Sequence, residues 1–548
     1  MTEHKERKGA RKAWYYIFLM TWCAQMILAV YFCTQKQGFH EDEYYSYYST
    51  ARTYGLFVED GKWKEYDDYF QEFTVLEGQG FQYGLVRLVQ SWDVHPPVYY
   101  WVLHTICSFF PGQFSKWFGL VINLAAFGVS LFLLWDLSME ITKRKEKLSF
   151  LICFFYGFTP AVMSSVVFIR MYALLTVFVY LCAILHIRVM VRGEETLSIR
   201  KFLLPLAVVT YLGFLTQYYY FIFLFFMAAA FGVWLLFREQ KIDRKRKNCF
   251  LYGISLGVAF LLAYVTYPSC LGQMFRGQRG AQATGNFFDM SNTFSRICFF
   301  GKLLNEFVFG KVFYVLLATI LLLTIYIIAR NRQFFPAKTL MKTLIKKYVM
   351  YWALLFTVIG YFLVVSKTGL LLGETSIRYQ APIYGMVVLL VFMALWELGR
   401  KCLGNVDSNR GKRLLAVAAA VCLLVNCAGL LSGRVVFLYP EDEERVAFAR
   451  ERAAAGTPVL YLYDEGQSWC VWDSANEFFE YNKIYFASLY DTEPITDDVI
   501  AGCDDLVVYL SNSADTDAEI QRIMDSNPKL TAYELQYQEK YCDVYYFK

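Results

Sequence analysis

Long apolar runs separated by short polar connections fill the chain from about residue 14 to residue 432. Each run is long enough to cross about 30 Å of hydrocarbon as a helix. The pattern therefore predicts a polytopic α-helical membrane protein with about 11 spans. The predicted spans are 14–33, 116–137, 148–168, 172–190, 201–217, 218–237, 249–267, 311–329, 348–366, 379–397 and 413–432.

The pattern changes after the last apolar run, where short β-type runs alternate with a polar helical stretch at 516–526. The β-type runs are 458–464, 505–511 and 541–547. This alternation predicts a small α/β domain at 433–548. The tail has no glycine-rich loop of the kind that binds nucleotides.

The composition excludes a soluble globular protein over the whole length. Hydrophobic residues make up 57% of the chain and charged residues 18%, whereas soluble domains have about 45–50% and about 25%. The 14 cysteines are scattered, and many lie inside apolar runs without any CxxC pair. They are typical of small core residues rather than of a metal or redox site.

One apolar run, 97–111, is short, and the distribution of positive charge decides its topology. Basic residues concentrate in cytoplasmic loops. If this run does not cross, about 30 of the 53 Lys and Arg residues fall on the side of the N-terminus, in 1–13, 143–147, 188–201, 238–247, 330–347 and 400–413. We therefore predict that 97–111 lies on or dips into the outer face of the cell membrane. The N-terminal segment 1–13 is then cytoplasmic, and the domain 433–548 is extracytoplasmic.

The predicted outer segments differ in charge. The first outer loop is 35–115, and its part 35–96 carries about 11 acidic and 5 basic residues. The tail 434–548 carries about 23 acidic and 9 basic residues. The outer loop 268–310 contains a predicted amphipathic helix near 292–309. A strongly acidic exterior gives no reason to expect nucleic acid binding.

Candidate acids follow the first span in the run His40-Glu41-Asp42-Glu43. Adjacent like charges raise one another's pKa, so an acid in this run could serve as a general base or bind a cation. The alternative is a solvated acidic start to a helix at 42–55, which the helix dipole favours.

A second candidate is the run Asp93-Val94-His95-Pro96-Pro97. The two prolines provide a rigid entry into a helix. They place Asp93 and His95 at its start, on the predicted outer face. The alternative is an interfacial anchor, because tyrosine and tryptophan residues follow directly.

Three cations stand at the outer ends of predicted spans, where positive charge is otherwise scarce. Arg170 precedes Met171 and Tyr172 between two apolar runs, and Lys367 and Arg378 flank the last short outer loop. These groups suit a lipid phosphate, because a guanidinium fork binds phosphate oxygens directly. The alternative is snorkelling to ordinary lipid headgroups.

Together, acids in the first outer loop and cations at three helix ends fit one kind of chemistry. Sugar transfer from a lipid phosphate needs a base that deprotonates an acceptor hydroxyl. It also needs cations that stabilise the charge developing on the departing phosphate.

In their order along the chain, these motifs resemble those of the GT-C membrane glycosyltransferases. The similar group contains the protein O-mannosyltransferases and the aminoarabinose transferases, and the bacterial type fits best. The resemblance covers about 14–432, which would be the transmembrane catalytic domain. Its carriers are Asp42-Glu43, DVHPP at 93–97, RMYALL at 170–175, LTQYYY at 215–220 and SIRYQAP at 376–382.

The resemblance implies an inverting glycosyltransferase that moves a sugar from a polyprenyl-phosphate donor, of undecaprenyl type, to an acceptor hydroxyl on the outer face. It implies that Asp42 is the catalytic base, with Glu43 beside it. The residues expected to bind the donor phosphate or line the site are His95, Arg170, Tyr172, Lys367, Arg378 and Tyr379.

The chain departs from the family pattern at two positions. Phe168 stands where many relatives carry an acid, and Gln217 stands where many carry a histidine. With these departures the resemblance does not imply a divalent metal or any certain cofactor, and the sequence leaves open whether a metal or a second catalytic carboxylate is used.

Two other classes of function stay open. A transporter of lipid-linked sugars would need polar groups through the membrane centre, where the spans carry few. A non-catalytic protein of cell-envelope assembly would use the tail as a binding module. The sequence also leaves open which sugar moves and whether the acceptor is a protein, a lipid or a polysaccharide.

Overall fold

The computed structural model describes residues 2–51, 58–238, 241–331, 347–403 and 409–548. Most of the basic segment 330–347, part of 400–413 and the end of the predicted helix 42–55 lie outside the described residues. The chain forms two compact units. The first unit is Met1–Cys33, Gln90–Tyr99 and Gly119–Val436, and the second unit is Thr34–Val89, Tyr100–Phe118 and Phe437–Lys548.

The described α-helices, in chain order, are α1 (Thr2–Gln35), α2 (Glu41–Ala51), α3 (Tyr66–Phe70), α4 (Tyr83–Gln90), α5 (Val98–Ser108), α6 (Lys116–Ile141), α7 (Glu146–Gly157), α8 (Pro160–Val167), α9 (Tyr172–Arg192), α10 (Leu204–Thr216), α11 (Tyr219–Phe237), α12 (Ile242–Thr266), α13 (Ser269–Phe275), α14 (Gln278–Phe288), α15 (Thr293–Leu303), α16 (Phe313–Asn331), α17 (Val349–Thr368), α18 (Tyr384–Leu403), α19 (Asn409–Leu431), α20 (Asp442–Ala455), α21 (Ala475–Phe478), α22 (Asp498–Gly502) and α23 (Thr516–Ser526). The strands are β1 (Lys62–Glu65), β2 (Val459–Tyr463), β3 (Lys483–Ser488), β4 (Leu506–Ser511), β5 (Tyr533–Gln538) and β6 (Cys542–Phe547).

The predicted membrane spans are found as helices. Within the described residues, nine helices are long and apolar enough to cross a membrane, and the bent pair α7–α8 makes ten. The last predicted span corresponds to α19, whose apolar part Val417–Leu431 is shorter. The predicted fold class is confirmed: the chain is a multi-pass membrane protein with a small α/β domain at its C-terminal end.

The bend between α7 and α8 has a local cause. The two helices meet at 57°, where Pro160 begins α8 and Thr159 caps it by accepting a hydrogen bond from the Val162 amide. Proline cannot donate a backbone hydrogen bond, so it interrupts a continuous helix but suits the first position of a new one.

Helix α5 agrees with the prediction that 97–111 does not cross the membrane. Its 11 residues span about 16 Å, roughly half the thickness of the hydrocarbon. His104 of this helix is fully buried and lies 2.8 Å from the Thr50 carbonyl through Nδ1. Its Nε2 accepts a hydrogen bond from the Gln82 amide at 2.9 Å, so the imidazole is neutral with its proton on Nδ1.

The second unit contains a six-stranded sheet in the order β1-β3-β2-β4-β6-β5. Strands β3, β2 and β4 are parallel, whereas the other pairings are antiparallel. The predicted β2, β4, β6 and α23 are confirmed within a residue or two. Strand β1 comes from the first predicted outer loop and pairs with β3 across more than 400 residues of sequence.

Both faces of this sheet are covered, which explains the continuous apolar run at β2. Val459, Tyr461 and Tyr463 point into one buried cluster, while Leu460 and Leu462 point into another. Alternate residues of a strand face opposite sides, so a central strand needs apolar residues at every position.

Candidate functional site

The acids predicted as catalytic begin α2, and the local hydrogen bonds show why a helix starts there. The His40 carbonyl accepts the Glu43 amide at 2.7 Å, and the Glu43 carboxylate reaches back to the His40 amide at 2.7 Å. The His40 Nδ1 accepts the Asp42 amide at 3.0 Å. Side chains thus satisfy amide groups that a helix start leaves open.

Glu43 is part of a fully buried ion pair in the second unit. Its Oε2 lies 2.9 Å from Lys36 Nζ, and both side chains are 0% exposed. Lys36 also donates to the Phe437 carbonyl at 2.8 Å. This arrangement gives Glu43 a structural task at the start of α2.

The three acids of the run differ in surroundings. Glu41 is paired with Lys540 at 2.8 Å and is 15% exposed, whereas the Asp42 side chain is 28% exposed and lies 3.7 Å from His40. A general base must reach its substrate. The accessible carboxylate of the run is therefore that of Asp42, and it remains the predicted base.

Aromatic packing fixes α2 within the second unit. The Tyr44 ring lies 5.1 Å from the Phe39 ring and 5.3 Å from the Phe73 ring. The Tyr47 hydroxyl donates to the Ser115 carbonyl at 2.7 Å. Burial, followed by the nearby carboxylates, raises the pKa of Tyr44 well above its usual value, so this phenol stays neutral.

Several carboxyls near α2 are buried in the second unit and retain protons unusually well. Burial raises the pKa of Asp442 to about 7, that of Asp473 to about 6 and that of Glu539 to about 7. It also raises the pKa of Glu477 well above its usual range. Arg445 lies 3.4 Å from Asp442 and offsets only part of this effect.

These shifts predict that the full chain becomes less stable as the pH rises from about 4 to about 7. In this window the unfolded carboxyls, whose pKa is near 4, have lost protons that the folded ones retain. The folded state is therefore favoured on the acid side of the window, and the contribution of each carboxyl ends once the pH exceeds its folded pKa. Thermal unfolding in detergent at about pH 5 and about pH 7.5 measures the change.

The matched variants for this pH experiment are Glu477→Gln and Asp525→Asn. Glu477 is 1% exposed, so Glu477→Gln should flatten the pH dependence. Asp525 is exposed and should leave it unchanged. Equal slopes in Glu477→Gln and wild type would contradict the assignment.

In the first unit, the turn carrying Asp93 and His95 is held by hydrogen bonds from the end of α12 and from α13. Gln273 Nε2 donates to the Gln90 carbonyl at 2.8 Å and to the Asp93 carbonyl at 2.6 Å. The Tyr267 hydroxyl also donates to the Gln90 carbonyl at 2.6 Å. The sequence does not predict the roles of Gln273 and Tyr267, because each donates a hydrogen bond to a backbone carbonyl far away in the chain.

Asp93, His95 and Arg170 form a chain of contacts. His95 Nδ1 lies 3.2 Å from an Asp93 carboxylate oxygen. One Arg170 guanidinium nitrogen lies 3.3 Å and 3.4 Å from the two ring nitrogens of His95. Burial would raise the pKa of Asp93, but His95 and then Arg170 outweigh it and lower that pKa. Asp93 is therefore ionised and orients the imidazole.

Two buried guanidinium groups are surrounded by predicted site residues. Arg170 is 3% exposed and Arg378 is 4% exposed. The Arg378 Cζ lies 5.1 Å from the Phe168 ring centroid and 5.2 Å from that of Tyr379. Tyr172 stacks on Phe168 at 6.1 Å and meets Tyr379 edge-on at 5.9 Å. Phe168, which replaces an acid of the family pattern, thus supplies a ring face for Arg378.

Lys367 is held by the segment between α14 and α15. Its Nζ donates to Asn292 Oδ1 at 2.8 Å, to Thr293 Oγ1 at 2.9 Å and to the Asp289 carbonyl. An ammonium group has three N–H donors, so these contacts use all three. All three accepting oxygens belong to neutral groups, and the Asp289 carboxylate interacts electrostatically with both Lys367 and Arg296.

Arg296 is a cation that the sequence reasoning missed. It is 5% exposed, and its guanidinium donates to the Ser366 carbonyl at 3.0 Å and to the Gly369 carbonyl. A Cβ added at Gly369 would lie 3.3 Å from the Tyr379 ring, which places Arg296 close to Tyr379. The available signal in the sequence was its basic side chain among the apolar residues of α15, a helix that also carries Lys302.

The structure thus brings His95, Arg170, Tyr172, Arg378 and Tyr379 together in the first unit, with Lys367 next to Arg296. Asp42 and Glu43 lie in the second unit. Among the described residues, no group of three or more His, Cys, Asp or Glu side chains is placed to hold a metal ion.

Comparison with protein-family profiles and with curated sequences gives no significant match. The solved structure of ArnT from Cupriavidus metallidurans bound to undecaprenyl phosphate matches with a TM-score of 0.50 and 11% identity, over 97% of this chain and 98% of that one. Its apo structure matches with a TM-score of 0.51 and 12% identity, over 98% of both chains. The archaeal oligosaccharyltransferase AglB from Archaeoglobus fulgidus gives a TM-score of 0.46 at 12% identity, over 90% of this chain and 69% of that one.

The likeness to ArnT extends over nearly the whole of both chains, including the small α/β domain. At this level of identity it establishes the fold. The chain therefore has the GT-C fold that its motifs predict.

Proposed function

We propose that the protein is an inverting glycosyltransferase that moves a sugar from a polyprenyl-phosphate donor to an acceptor hydroxyl on the outer face of the cell membrane. In this proposal the N-terminus is cytoplasmic and the second unit is extracytoplasmic. The catalytic domain is 14–432, and 433–548 is the accessory domain.

The observation that carries the proposal is the concentration of buried cations in the first unit. Arg170, Arg296, Lys367 and Arg378 are each at most 6% exposed. The oxygens that accept hydrogen bonds from Arg296 and Lys367 belong to carbonyl, amide and hydroxyl groups, and the Asp289 carboxylate near both cations offsets only part of the positive charge of the set. Such a set of cations favours the binding of a phosphate group. It also stabilises the second negative charge that develops on the phosphate when the sugar departs.

The proposed roles follow from these contacts. Arg170 and Arg378 bind the donor phosphate, and the Tyr172 and Tyr379 rings flank it. His95, oriented by Asp93, positions Arg170. Lys367 has its three donors engaged, so it contributes charge and fixes the segment that precedes α15.

The proposed reaction has balanced bonds. Asp42 takes the proton of the acceptor hydroxyl, and the oxygen attacks the anomeric carbon of the sugar. The bond from that carbon to the phosphate oxygen breaks, and its electron pair leaves with the polyprenyl phosphate. A single displacement inverts the anomeric configuration. ArnT is itself seen with undecaprenyl phosphate bound, which supports a donor of this class.

The test is a transfer assay in membranes with undecaprenyl-phosphate mannose, glucose and aminoarabinose supplied separately, each with a labelled sugar. Label should reach a protein, lipid or polysaccharide fraction from one of these donors. If the folded protein neither transfers label from any of them nor binds undecaprenyl phosphate, the proposal is overturned. Transport without transfer would favour the lipid-linked sugar transporter.

Arg378→Gln should lower kcat by about 10²–10³-fold, because it removes a charged donor from the developing phosphate. Arg378→Lys should recover only part of the loss, since an ammonium group lacks the guanidinium fork. The same variants should weaken undecaprenyl phosphate binding in the absence of acceptor. The assay measures initial transfer rates and lipid affinity in parallel.

The matched control is Arg279→Gln. Arg279 is exposed and contacts Gln282 of its own helix, so its loss should leave both quantities unchanged. If Arg378→Gln retained full activity and affinity, Arg378 would have no part in donor binding.

A further inference from the structure

The order of the parallel strands in the second unit marks one edge of the sheet as a binding edge. The chain passes from β2 to its neighbour β3 and then crosses to place β4 on the other side of β2. In open α/β sheets, ligands bind outside the carboxyl ends of the strands where the strand order reverses in this way. We call this region the carboxyl edge; it comprises 464–469, 488–490, 511–513 and 539–541.

Polar side chains converge on the carboxyl edge. Asp464 accepts hydrogen bonds from the Gly466 amide at 2.8 Å and from the Tyr490 hydroxyl at 3.0 Å. Beyond β4, the hydroxyls of Ser511 and Ser513 are 3.0 Å apart. Carboxylate and hydroxyl groups of this kind bind the hydroxyls of a sugar.

Exposed aromatic rings stand beside these polar groups. Tyr490 is 65% exposed and Trp469 is 40% exposed, although both belong to a folded domain. The Trp469 ring is fixed by an edge-on contact with Tyr541 at 5.1 Å. A pyranose ring has an apolar C–H face that packs on an aromatic ring, while its hydroxyls reach neighbouring polar groups.

The carboxyl edge disfavours phosphate and nucleotide ligands. Two backbone amides of the kind that bind an anion are already occupied: Asp464 accepts the Gly466 amide, and Asp515 accepts the Ala518 amide at the start of α23. The exposed acid Glu465 adds negative charge at this edge. A neutral ligand with many hydroxyls fits these surroundings better than an anion.

The same edge lies against the start of α2. Strand β6 begins opposite the end of β4, so the β5–β6 turn belongs to the carboxyl edge. Lys540 of that turn pairs with Glu41 at 2.8 Å, and the Trp472 ring stacks on the Tyr48 ring of α2 at 5.8 Å. Glu41 directly precedes Asp42, the proposed base.

We propose that the carboxyl edge binds a neutral saccharide as the acceptor, stacked on Trp469 and Tyr490 and hydrogen-bonded to Asp464, so that an acceptor hydroxyl is presented near Asp42. The role as acceptor site rests on the proposed transferase function. The binding site itself does not.

The experiment measures saccharide binding to the full-length protein in lipid nanodiscs, without any donor. The probes are tetrasaccharides of glucose, mannose, galactose and N-acetylglucosamine. Their binding is measured by saturation-transfer NMR and calorimetry. At least one should bind, and Trp469→Ala and Tyr490→Ala should each weaken it about tenfold or more. The matched control is Tyr533→Ala: Tyr533 is 48% exposed but pairs with Phe547 at the opposite end of the sheet, so binding should persist.

Three results would overturn this proposal. They are no binding of any tetrasaccharide, equal binding in wild type and Trp469→Ala, and binding at the carboxyl edge of a serine- and threonine-rich peptide instead of saccharides. The last result would indicate a protein acceptor.

A second set of measurements distinguishes failure of the saccharide site from failure of the proposed transferase function. Arg378→Gln should lose undecaprenyl phosphate affinity but keep saccharide affinity. Trp469→Ala should raise the acceptor KM with little change in kcat. A protein that binds saccharides but neither binds nor uses the lipid donor would contradict the transferase function while leaving the saccharide site in place.

Discussion

Replacing Asp42 with asparagine should lower kcat for sugar transfer by about 10²–10⁴-fold, the usual contribution of a general base. The amide has nearly the same shape but cannot accept the proton of the acceptor hydroxyl. The helix start should survive, because the Asp42 contact that caps it comes from the backbone amide to His40. Initial rates of label transfer from the active undecaprenyl-phosphate sugar, at saturating donor, measure the effect.

Glu77→Gln is the matched control for Asp42→Asn. Glu77 is an exposed acid of the same unit, so its variant should transfer sugar at the wild-type rate. Asp42→Asn should also bind undecaprenyl phosphate normally, since the proposed donor contacts come from Arg170 and Arg378. Full activity in a folded Asp42→Asn protein would remove Asp42 as the base and direct attention to Glu41.

Glu43→Gln should destabilise the protein by about 3–5 kcal/mol, the typical cost of leaving one member of a buried ion pair without its counter-charge. Both Lys36 and Glu43 are 0% exposed, so water cannot solvate the ammonium group that remains. The same variant weakens the start of α2, where Glu43 accepts the His40 amide. Thermal unfolding of the full chain in detergent measures the loss.

A double-mutant cycle tests whether the ion pair causes this loss. The variant that combines Lys36→Met with Glu43→Gln should be more stable than Glu43→Gln alone, because the isolated charge is gone. The exposed pair of Glu59 and Lys62, which are 49% and 63% exposed, provides the control. Glu59→Gln should change stability by less than about 1 kcal/mol. Additive effects of the two buried substitutions would refute the coupling.

These two predictions assign different tasks to neighbouring acids that the sequence presents as one motif. Asp42 and Glu43 are adjacent and chemically similar, so residue type alone predicts the same behaviour for both. Their difference comes from Lys36, which lies beyond the end of the first span and forms a buried ion pair with Glu43. Asp42→Asn should therefore lower the transfer activity while the helix start survives, whereas Glu43→Gln should lower the stability of the fold.

The sequence by itself determined the class of the protein and most of its elements. Crossing a membrane requires about 20 apolar residues in one stretch, and such stretches are visible without any tertiary information. The same holds for β2, β4 and β6, because a covered strand must be apolar on both faces. The resemblance to the GT-C glycosyltransferases rested on short motifs, and it also predicted the fold correctly.

The tertiary structure decided what depends on residues far apart in sequence. The pairing of β1 with β3 joins the first predicted outer loop to the tail sheet. Arg296 and Gln273 take their places through backbone carbonyls of other segments, which carry no signal in residue type. The carboxyl edge likewise exists only once strand order is known. Hydropathy and helix capping are local properties that can be predicted directly from the sequence. Which distant residue a side chain contacts is instead determined by packing in three dimensions.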